Sequence, residues 1–413
     1  MVNSLKFELD RVAGESEVVV YLGHNGVDVQ YVGLSSERLF ERLVLKHEYW
    51  RVPFIASRIC GLCSHAHFWA SNLALESALG IEVDDSTAKL RDACNKLQIV
   101  ENNLIHLAFL ALPDYRRPTS EVVRSVLKVR KTVTNALDLI SGRLSNPPPY
   151  APGGFVADVG RWRIERAIRL INEVIPAVDS LVEYFISSIA LHDLRDPSPH
   201  YLALALWPEK SVPVGEPYEL LSSEGRVDVS VDNYGDLFVE GVREYSRARE
   251  CTLGGRTFFV GARARMLARD ASSTHIDPAV LESIKLNPYG NLLAKAFEIR
   301  TTIRNVEHNL RDCLDKRPRK VDPVRKKGRG LAIVEAPRGL LLHYYEVCDG
   351  IVEKADIITP TVMFTRHIET SAKALVSSLI ESGRVADVPR YVEMLVRAYD
   401  PCIPCAVHVV RAG

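Results

Sequence analysis

The sequence lacks the segments that send a protein across or into a membrane. Residues Met1 to Glu8 contain no basic stretch followed by an apolar core, so we expect no signal peptide. No charge-free apolar run approaches about 18 residues, the length at which a membrane helix is considered. These absences predict a cytoplasmic protein with no direct membrane span.

The chain also lacks net charge, with 52 basic side chains against 52 acidic ones. The charge balance therefore favours neither nucleic acid nor a membrane surface as a partner. There is no internal repeat, coiled coil or low-complexity run. A length of 413 residues, 47% of them hydrophobic, is typical of a globular protein with a large core. We expect a single domain over residues 1–413.

Cysteine is scarce, and half of it lies in two C-x-x-C pairs at opposite ends of the chain, Cys60 with Cys63 and Cys402 with Cys405. Reduced thiols in the cytoplasm favour metal binding or catalysis over disulfides. Four soft thiolates brought together by the whole fold suit zinc, an iron-sulfur cluster or nickel. The other cysteines lack such spacing, and we expect them to be buried packing residues: Cys94, Cys251, Cys313 and Cys348.

The periodicity of apolar residues predicts an α+β fold that is mainly helical. A β-rich N-terminal part, residues 1–35, contains strands over 5–9, 17–22 and 27–32, with an Asn-Gly turn before the third. Long amphipathic stretches with short joints predict a central bundle of helices, over 87–112, from Ser120 to Gly142, and over 161–194.

The second half is predicted to add small peripheral sheets. A small β section over 200–262 has its turn at 232–236, and further strands cover 330–335, 339–347 and 351–358. Helices are predicted over 278–314, 366–382 and 389–399. The prolines and glycines of 146–154 exclude regular structure there.

The two cysteine boxes resemble those of the large, catalytic subunit of nickel-iron hydrogenases. They read Arg58-x-Cys60-Gly61-x-Cys63-x-x-x-His67 and Asp400-Pro401-Cys402-x-x-Cys405-x-x-His408. The resemblance extends over most of the chain, through the blocks around Phe40-Glu41, Gly142 to Gly154, Tyr245 to Arg265, and Glu335-Ala336-Pro337-Arg338-Gly339 with His343. Leu110 to Asp114 is most similar to the cytoplasmic, cofactor-coupled branch of the family.

The resemblance assigns a role to each residue of the boxes. It implies that Cys60 and Cys402 are terminal ligands of nickel, and that Cys63 and Cys405 bridge nickel to an iron carrying carbon monoxide and cyanide. Arg338 would lie over the open coordination position, where a guanidine can polarise dihydrogen or accept its proton, and Asp400 would orient that arginine. The implied activity is reversible, heterolytic cleavage of dihydrogen.

The resemblance also implies a magnesium site and several partners. Glu41 and His408 would bind the magnesium, with a backbone carbonyl from about Ile357 to Thr359. No spare cysteine pair remains to hold an electron-transfer cluster, so an iron-sulfur small subunit docked near the Cys60 box is implied, with further electron-transfer subunits possible. A maturation protease is implied as well; whether it removes the residues after His408 stays open.

Some positions leave alternatives open. His67 is expected to support Cys63, His65 to be ordinary, and His106 to be either a core histidine or a residue lining the site.

Ala13 stands where the family has a glutamate that passes protons from the terminal cysteine, and Asn102 stands where some members have an acid. Glu15 or Glu17 lies near, but neighbouring side chains of a strand face opposite ways. Ala13 supports an alternative, a non-catalytic or zinc-substituted subunit of a redox complex. A redox dithiol protein is disfavoured, because neither pair begins a helix in a βαβ unit.

Overall fold

The computed structural model describes residues 3–23, 26–35, 39–143, 145, 150–155, 159–205, 216–269, 276–316 and 318–406. Within these residues the fold is α+β and mainly helical, as predicted. The helices follow one another along the chain as α1 (Phe40–Val44), α2 (Val52–Ala56), α3 (Ser64–Leu79), α4 (Asp85–Ile105), α5 (Ser120–Ser141), α6 (Arg161–Ser188), α7 (Tyr234–Leu237), α8 (Ala262–Leu267), α9 (Pro278–Leu286), α10 (Gly290–Asp312), α11 (Pro360–Glu381), α12 (Val388–Tyr399) and α13 (Ile403–Ala406).

The strands form small antiparallel sheets at the edges of the helical centre. They are β1 (Asn3–Glu8), β2 (Ser16–Gly23), β3 (Gly26–Gly33), β4 (Tyr150–Ala151), β5 (Gly154–Phe155), β6 (Leu202–Leu204), β7 (Tyr218–Ser222), β8 (Gly225–Val229), β9 (Phe238–Arg243), β10 (Ser246–Leu253), β11 (Gly328–Ala336), β12 (Gly339–Cys348) and β13 (Ile351–Ile358). Their orders are β1-β2-β3, β4-β5, β6-β7-β8, β10-β9 and β11-β12-β13. The strands that the sequence predicts near the N terminus and over 330–358 are present, and each group of three forms one sheet.

The helical centre is built around α4, whose side chains are buried along nearly its whole length. It packs against α5 and α10, while α3 packs across β11 and β12. The cap predicted for α4 is present, because Asp84 Oδ1 accepts a hydrogen bond from the Thr87 amide at 2.7 Å. At its far end α4 widens into one π-helical turn, His106–Ala111, which places His106 Nε2 3.9 Å from Asp400 Oδ1.

Several predicted elements differ in the structure. The helix predicted over 278–314 is two helices, because Pro288 forces the preceding Asn287 into an extended conformation, φ −132° and ψ 125°. The turn predicted at 232–236 contains the short helix α7. The stretch predicted to be irregular forms the small hairpin β4-β5, although 146–149 lie outside the described residues.

Other boundaries differ without changing the topology. The helix α6 ends at Ser188 and runs through Pro176 without breaking, and α11 begins at Pro360, six residues before the predicted start at Arg366. The prediction of four buried packing cysteines is wrong for Cys348, which ends β12 and is exposed. In the part of the chain that the structure describes, no helix is long and apolar enough to cross a bilayer.

Candidate metal centre

The first cysteine box lies at the start of α3. Cys63 immediately precedes the first residue of that helix, and Cys60 lies in the connection from α2. Asn102, on α4, donates from Nδ2 to the carbonyl of Leu62 at 3.2 Å and holds the connection against the helical centre. Both cysteines are buried, whereas Gly61 and Leu62 between them are exposed. The box thus reaches the surface while its sulfurs face inward.

The second box lies in the turn between α12 and α13. Asp400 ends α12 in the left-handed conformation, φ 55°, which reverses the chain. The Cys402 amide then donates to Thr361 Oγ1 at 3.0 Å, and Thr359 Oγ1 donates to the Cys405 carbonyl at 2.9 Å. The Ile403 amide donates to the carbonyl of Ala13 at 2.8 Å. The start of α11 and the N-terminal part therefore fix the position of this box.

The fold brings the two boxes together, although the chain between them is more than 300 residues long. The Sγ atoms of Cys60 and Cys402 are 3.5 Å apart, and those of Cys402 and Cys405 are 2.9 Å apart. Cys63 shares a cluster with Cys405 in which the ligand atoms lie within 4.8 Å of one another. All four thiols are buried. This is a compact set of four sulfur donors around one point.

The electrostatics of the four thiols favour a bound cation. The pKa of Cys60 lies well below its usual value, because the thiols of Cys402, Cys405 and Cys63 hydrogen-bond to its sulfur. The pKa of Cys405 is raised well above its usual value, because its thiol hydrogen-bonds to Cys402, Cys60 and Cys63 and because it is buried. Four thiolates in this cavity need a compensating positive charge.

A small cavity borders the sulfurs. It is lined by polar or ionisable groups, namely Cys63, Cys402, Cys405, His67, Arg338 and Thr361, and by the apolar groups of Ala336, Leu341 and Pro360. The soft donor set fits nickel and iron.

Arg338 enters this cavity from the tip of a hairpin. Ala336 pairs with Gly339, so Pro337 and Arg338 form the two-residue loop between β11 and β12. Gly339 has φ 134°, and a Cβ there would lie 2.4 Å from Val260 Cγ2, so the tight turn requires glycine. The loop is buried and rigidly packed, which places the guanidinium at a fixed point over the sulfurs.

The guanidinium of Arg338 is held along one edge by Asp400. Nε donates to the Asp400 carbonyl at 2.6 Å, and Nη2 donates to Oδ1 at 2.9 Å. Nη1 is buried and has no hydrogen-bond partner among the described residues. The other carboxylate oxygen of Asp400, Oδ2, accepts from Lys295 Nζ at 2.6 Å. Arg338, Asp400 and Lys295 therefore form a buried triad in which Nη1 of Arg338 has no partner among the described residues.

The three charged groups of the triad shift one another's pKa values. Burial acts to raise the pKa of Asp400, but Arg338, His106 and Lys295 outweigh it and lower that pKa to about 2. Burial acts to lower the pKa of Arg338, but Asp400 and the neighbouring thiols raise it above its usual value. The arginine is therefore charged at any physiological pH. The pKa of Lys295 is lowered by burial, which the attraction of Asp400 offsets only in part.

Comparison with known proteins explains the arrangement. The nickel-dependent hydrogenase family matches residues 38–146 and 239–408 of this chain. The alpha subunits of sulfhydrogenases 2 and 1 of Pyrococcus furiosus are each 30% identical to it; the first alignment covers 98% of both chains, the second 97% of this chain and 96% of the other.

The chain belongs to the nickel-dependent hydrogenase family. It is accordingly an oxidoreductase acting on dihydrogen, and the family implies a nickel-iron centre. A solved NAD⁺-reducing [NiFe]-hydrogenase has the same fold, with a TM-score of 0.81 at 22% identity over 98% of this chain and 99% of that one. A [NiFeSe]-hydrogenase of Dm. baculatum gives 0.82 at 20% identity, over 99% and 100%.

The hydrogenase has a second cavity beside its sulfurs. Phe40, Glu41, Ile59, Ile357, Thr359, Pro404 and Cys405 line it. Glu41 is buried although it carries a carboxylate, and Ile357 and Thr359 belong to the segment predicted to offer a backbone carbonyl. His408, the other predicted ligand of magnesium, lies outside the described residues. A carboxylate and a carbonyl are oxygen donors that suit magnesium.

His67 lies beside the sulfurs and is itself held by a chain of buried hydrogen bonds. One of its ring nitrogens clusters with the sulfurs of Cys63 and Cys405, and its Nδ1 lies 3.1 Å from Nε2 of His343. His343 Nδ1 lies 2.8 Å from the Tyr345 hydroxyl, to which Ser71 Oγ donates at 3.1 Å. Burial lowers the pKa of His67 to about 4, so the imidazole is neutral near pH 7.

His65 and His106 differ in where they lie relative to the site. His65 Nε2 lies 3.2 Å from the Arg143 carbonyl, outside the two metal-ligand clusters found among the described residues. His106 donates from Nε2 to the Arg397 carbonyl at 2.8 Å, and the same nitrogen lies 3.9 Å from Asp400 Oδ1. His106 therefore borders the triad and does not contact the cysteines through any described hydrogen bond.

Ala13 lies next to Cys402, with which it forms an isolated parallel β-bridge. The structure therefore places an alanine beside the terminal cysteine at the position where the resemblance predicts a glutamate. Glu15 is exposed, and Glu17 pairs at 2.8 Å with Lys6, whose side chain is 63% exposed. These contacts give neither glutamate a connection to Cys402.

Sequence reasoning missed two residues of the site, Lys295 and Thr361. Lys295 lies on α10 within an otherwise apolar stretch, between Ala294 and Ala296, and it is 1% exposed. A lysine on the buried face of a helix is a signal that the sequence does contain. Thr361 has no such signal, because its role depends on how α11 packs against the second box.

Proposed function

We propose that this chain is the catalytic large subunit of a nickel-iron hydrogenase that cleaves and forms dihydrogen heterolytically. The observation that carries the proposal is the meeting of four buried thiols beside a guanidinium whose Nη1 has no partner among the described residues. In this proposal the sulfurs of Cys60, Cys63, Cys402 and Cys405 would hold the nickel-iron centre. When bound, the nickel-iron centre supplies the site at which dihydrogen is activated and its electrons are taken up.

Arg338 has an electrostatic role in the proposed mechanism. Asp400 and the neighbouring thiols hold its pKa above the usual value, so the charged guanidinium would polarise dihydrogen. The Sγ of Cys402 is then the group of this chain that takes the proton, since a thiolate is basic and lies in the same cavity. Asp400 holds the guanidinium by two contacts and keeps its position fixed.

The cavity walls support the small ligands proposed for the iron. Ala336, Leu341 and Pro360 form an apolar wall suited to carbon monoxide, which accepts hydrogen bonds poorly. Arg338 Nη1 is a donor suited to a cyanide nitrogen as well as to dihydrogen. The second cavity, with Glu41 and the Ile357 segment, supports magnesium completed by His408.

An iron-sulfur small subunit is the proposed electron-transfer partner. Besides the four clustered cysteines, Cys94, Cys251 and Cys313 are buried singly and Cys348 is exposed, so the chain's remaining cysteines offer no cluster site. Leu62, exposed between the cysteines of the first box, supports docking at that box, as do the exposed side chains of Leu39, Leu43 and Trp50. Electrons would pass on to further subunits and a soluble acceptor.

The remaining proposals concern the setting of the enzyme. All eight cysteines are free thiols, which supports a reducing, cytoplasmic location. One continuous hydrophobic core that includes residues from Leu9 to Ala406 supports a single domain over 1–413. A maturation protease is proposed from the family resemblance alone.

A non-catalytic subunit is the second candidate, and Ala13 is the observation that favours it. An alanine beside Cys402 has no group that could carry a proton away from the cysteine. A site that holds zinc, or that is incompletely assembled, does not need such a group.

Infrared spectroscopy of the purified complex distinguishes the two candidates. The catalytic reading predicts bands from iron-bound carbon monoxide and cyanide together with hydrogen-deuterium exchange activity. A complex that contains zinc, shows no such bands and exchanges no hydrogen would establish the second candidate.

A further inference from the structure

We propose that Lys295 is a positioning residue that keeps one nitrogen of Arg338 available for the metal centre. This inference rests on the proposed function, because it concerns what the arginine offers to dihydrogen or to a cyanide ligand. Lys295 contacts neither the cysteines nor the cavity; it acts through Asp400, whose Oδ2 it binds at 2.6 Å.

The argument starts from the preferred pairing of arginine and carboxylate. The two groups favour a bidentate geometry, in which two parallel N–H groups donate to the two oxygens. Here only one carboxylate oxygen, Oδ1, accepts a hydrogen bond from Arg338, and Nη2 donates it at 2.9 Å. Nε donates to the backbone carbonyl of Asp400. The pairing through the carboxylate is therefore monodentate.

Lys295 explains the monodentate pairing. Its ammonium group occupies Oδ2, so that oxygen does not turn towards Nη1 of Arg338. Lys295 and Asp400 are almost fully buried, with 1% and 3% of their surfaces exposed. Water therefore does not compete for these contacts. Nη1 consequently has no partner in the described part of the chain. Without the lysine, the lowest-energy arrangement closes the arginine onto both oxygens and removes Nη1 from the cavity.

Lys295 also balances negative charge close to the sulfurs. Asp400 adds a negative charge beside four cysteines that become thiolates when metal binds, whereas Arg338 alone adds one positive charge. Lys295 contributes the second cation. A buried carboxylate with only one cationic partner would be costly so close to the sulfurs.

The test uses the purified hydrogenase complex carrying Lys295→Met, which keeps the length of the side chain and removes its charge. A crystal structure is expected to show Arg338 Nη1 within hydrogen-bond distance of Asp400 Oδ2. Hydrogen-deuterium exchange is expected to fall about 100-fold at unchanged nickel content, since misplacing a group by about 1 Å costs this much. The cyanide bands in the infrared spectrum are expected to shift.

Two further variants separate positioning from folding. Lys295→Arg restores a donor to Oδ2 and is expected to recover most of the exchange activity. Lys96→Met removes another buried lysine, which pairs with Asp92 at 2.7 Å on α4, and it is expected to lower thermal stability without moving the infrared bands. If Lys96→Met lowers exchange as much as Lys295→Met does, the effect is structural and the inference is wrong.

The outcomes also distinguish this inference from the function on which it rests. If the wild-type complex shows no bands of iron-bound carbon monoxide and cyanide, the proposed function fails and the inference falls with it. If the wild type shows those bands and Lys295→Met leaves Nη1 unpaired, the bands unmoved and exchange unchanged, the proposed function stands and only the role of Lys295 is overturned.

Discussion

Two buried arginines of the same core, Arg265 and Arg338, differ in how their nitrogens are used. Arg265, on α8, donates from Nε and Nη2 to the two oxygens of Glu298 at 2.6 and 2.8 Å. Its Nη1 donates to Glu335 Oε2 at 2.7 Å. Every nitrogen of Arg265 thus has a carboxylate partner, whereas Arg338 leaves Nη1 without a partner among the described residues.

The difference separates a structural network from a functional one. A closed buried network fixes the fold, and here it also holds the start of the Arg338 loop, because Arg265 Nη1 donates to the Ala336 carbonyl at 3.1 Å. An unpaired buried donor costs free energy and persists where a ligand or substrate completes it. Arg265 therefore supports the loop from which, in the proposed function, Arg338 acts.

The largest effect on stability is expected from breaking the closed network of Arg265, Glu298 and Glu335. Arg265→Met leaves Glu298 and Glu335 buried without their cation, and it is expected to lower the free energy of unfolding by about 3–5 kcal/mol. Arg226→Met is the control, because Arg226 pairs with Glu219 at 2.7 Å and the two side chains are 65% and 36% exposed. That change is expected to cost about 1 kcal/mol or less. Equal losses in urea unfolding would break the comparison.

Replacing Arg338 is expected to lower the turnover of the enzyme. Arg338→Lys keeps a charge but loses the planar fork that reaches both Asp400 and the cavity. Dihydrogen oxidation with an artificial acceptor is expected to fall about 100-fold to 1,000-fold, with nickel content retained. Unchanged turnover would mean that the unpaired N–H group has no role in the reaction.

A smaller effect is expected in how pH acts on the two glutamates of the closed network. Burial acts to raise the pKa of Glu298, but Arg265 outweighs it and holds that pKa below its ordinary 4.5. Burial raises the pKa of Glu335 above the same value despite Arg265.

These opposite shifts fix the sign of the prediction. A lowered folded pKa adds stability that is present above 4.5 and is lost as pH falls through the folded value. The raised pKa of Glu335 has the opposite sign, so its ionisation lowers stability as pH rises. At pH 7 Glu298→Gln should therefore cost more than Glu335→Gln, and its cost should shrink below pH 4.5. Unfolding at pH 7 and in acid measures both; the reverse order at pH 7 would contradict the assignment.

The smallest expected effect concerns acids outside both networks. Glu15 is exposed and Glu17 pairs with an exposed lysine, so removing both as Gln is expected to leave hydrogen-deuterium exchange unchanged. Another acid or a water chain then serves Cys402 in place of the glutamate that Ala13 replaces. A clear fall in exchange would show that one of these glutamates reaches the site in solution.

The sequence predicted the donors of the centre better than their surroundings. The spacing within each cysteine box and the helix periodicity around α4 are local signals, and the structure brings the predicted cysteines and Arg338 together. The break at Pro288 had a local signal, but the apolar pattern on both sides concealed it. Lys295 was missed because its partner Asp400 is 105 residues away, and no local pattern reveals a contact between distant elements.

The measurement that tests the central claim most directly is X-ray absorption at the nickel edge of the purified complex, for the wild type and for Cys60→Ser and Cys402→Ser. The account predicts nickel surrounded by sulfur in the wild type and nickel lost, or bound through fewer sulfurs, in each variant. Zinc in place of nickel, or nickel with an unchanged sulfur shell in both variants, would contradict it.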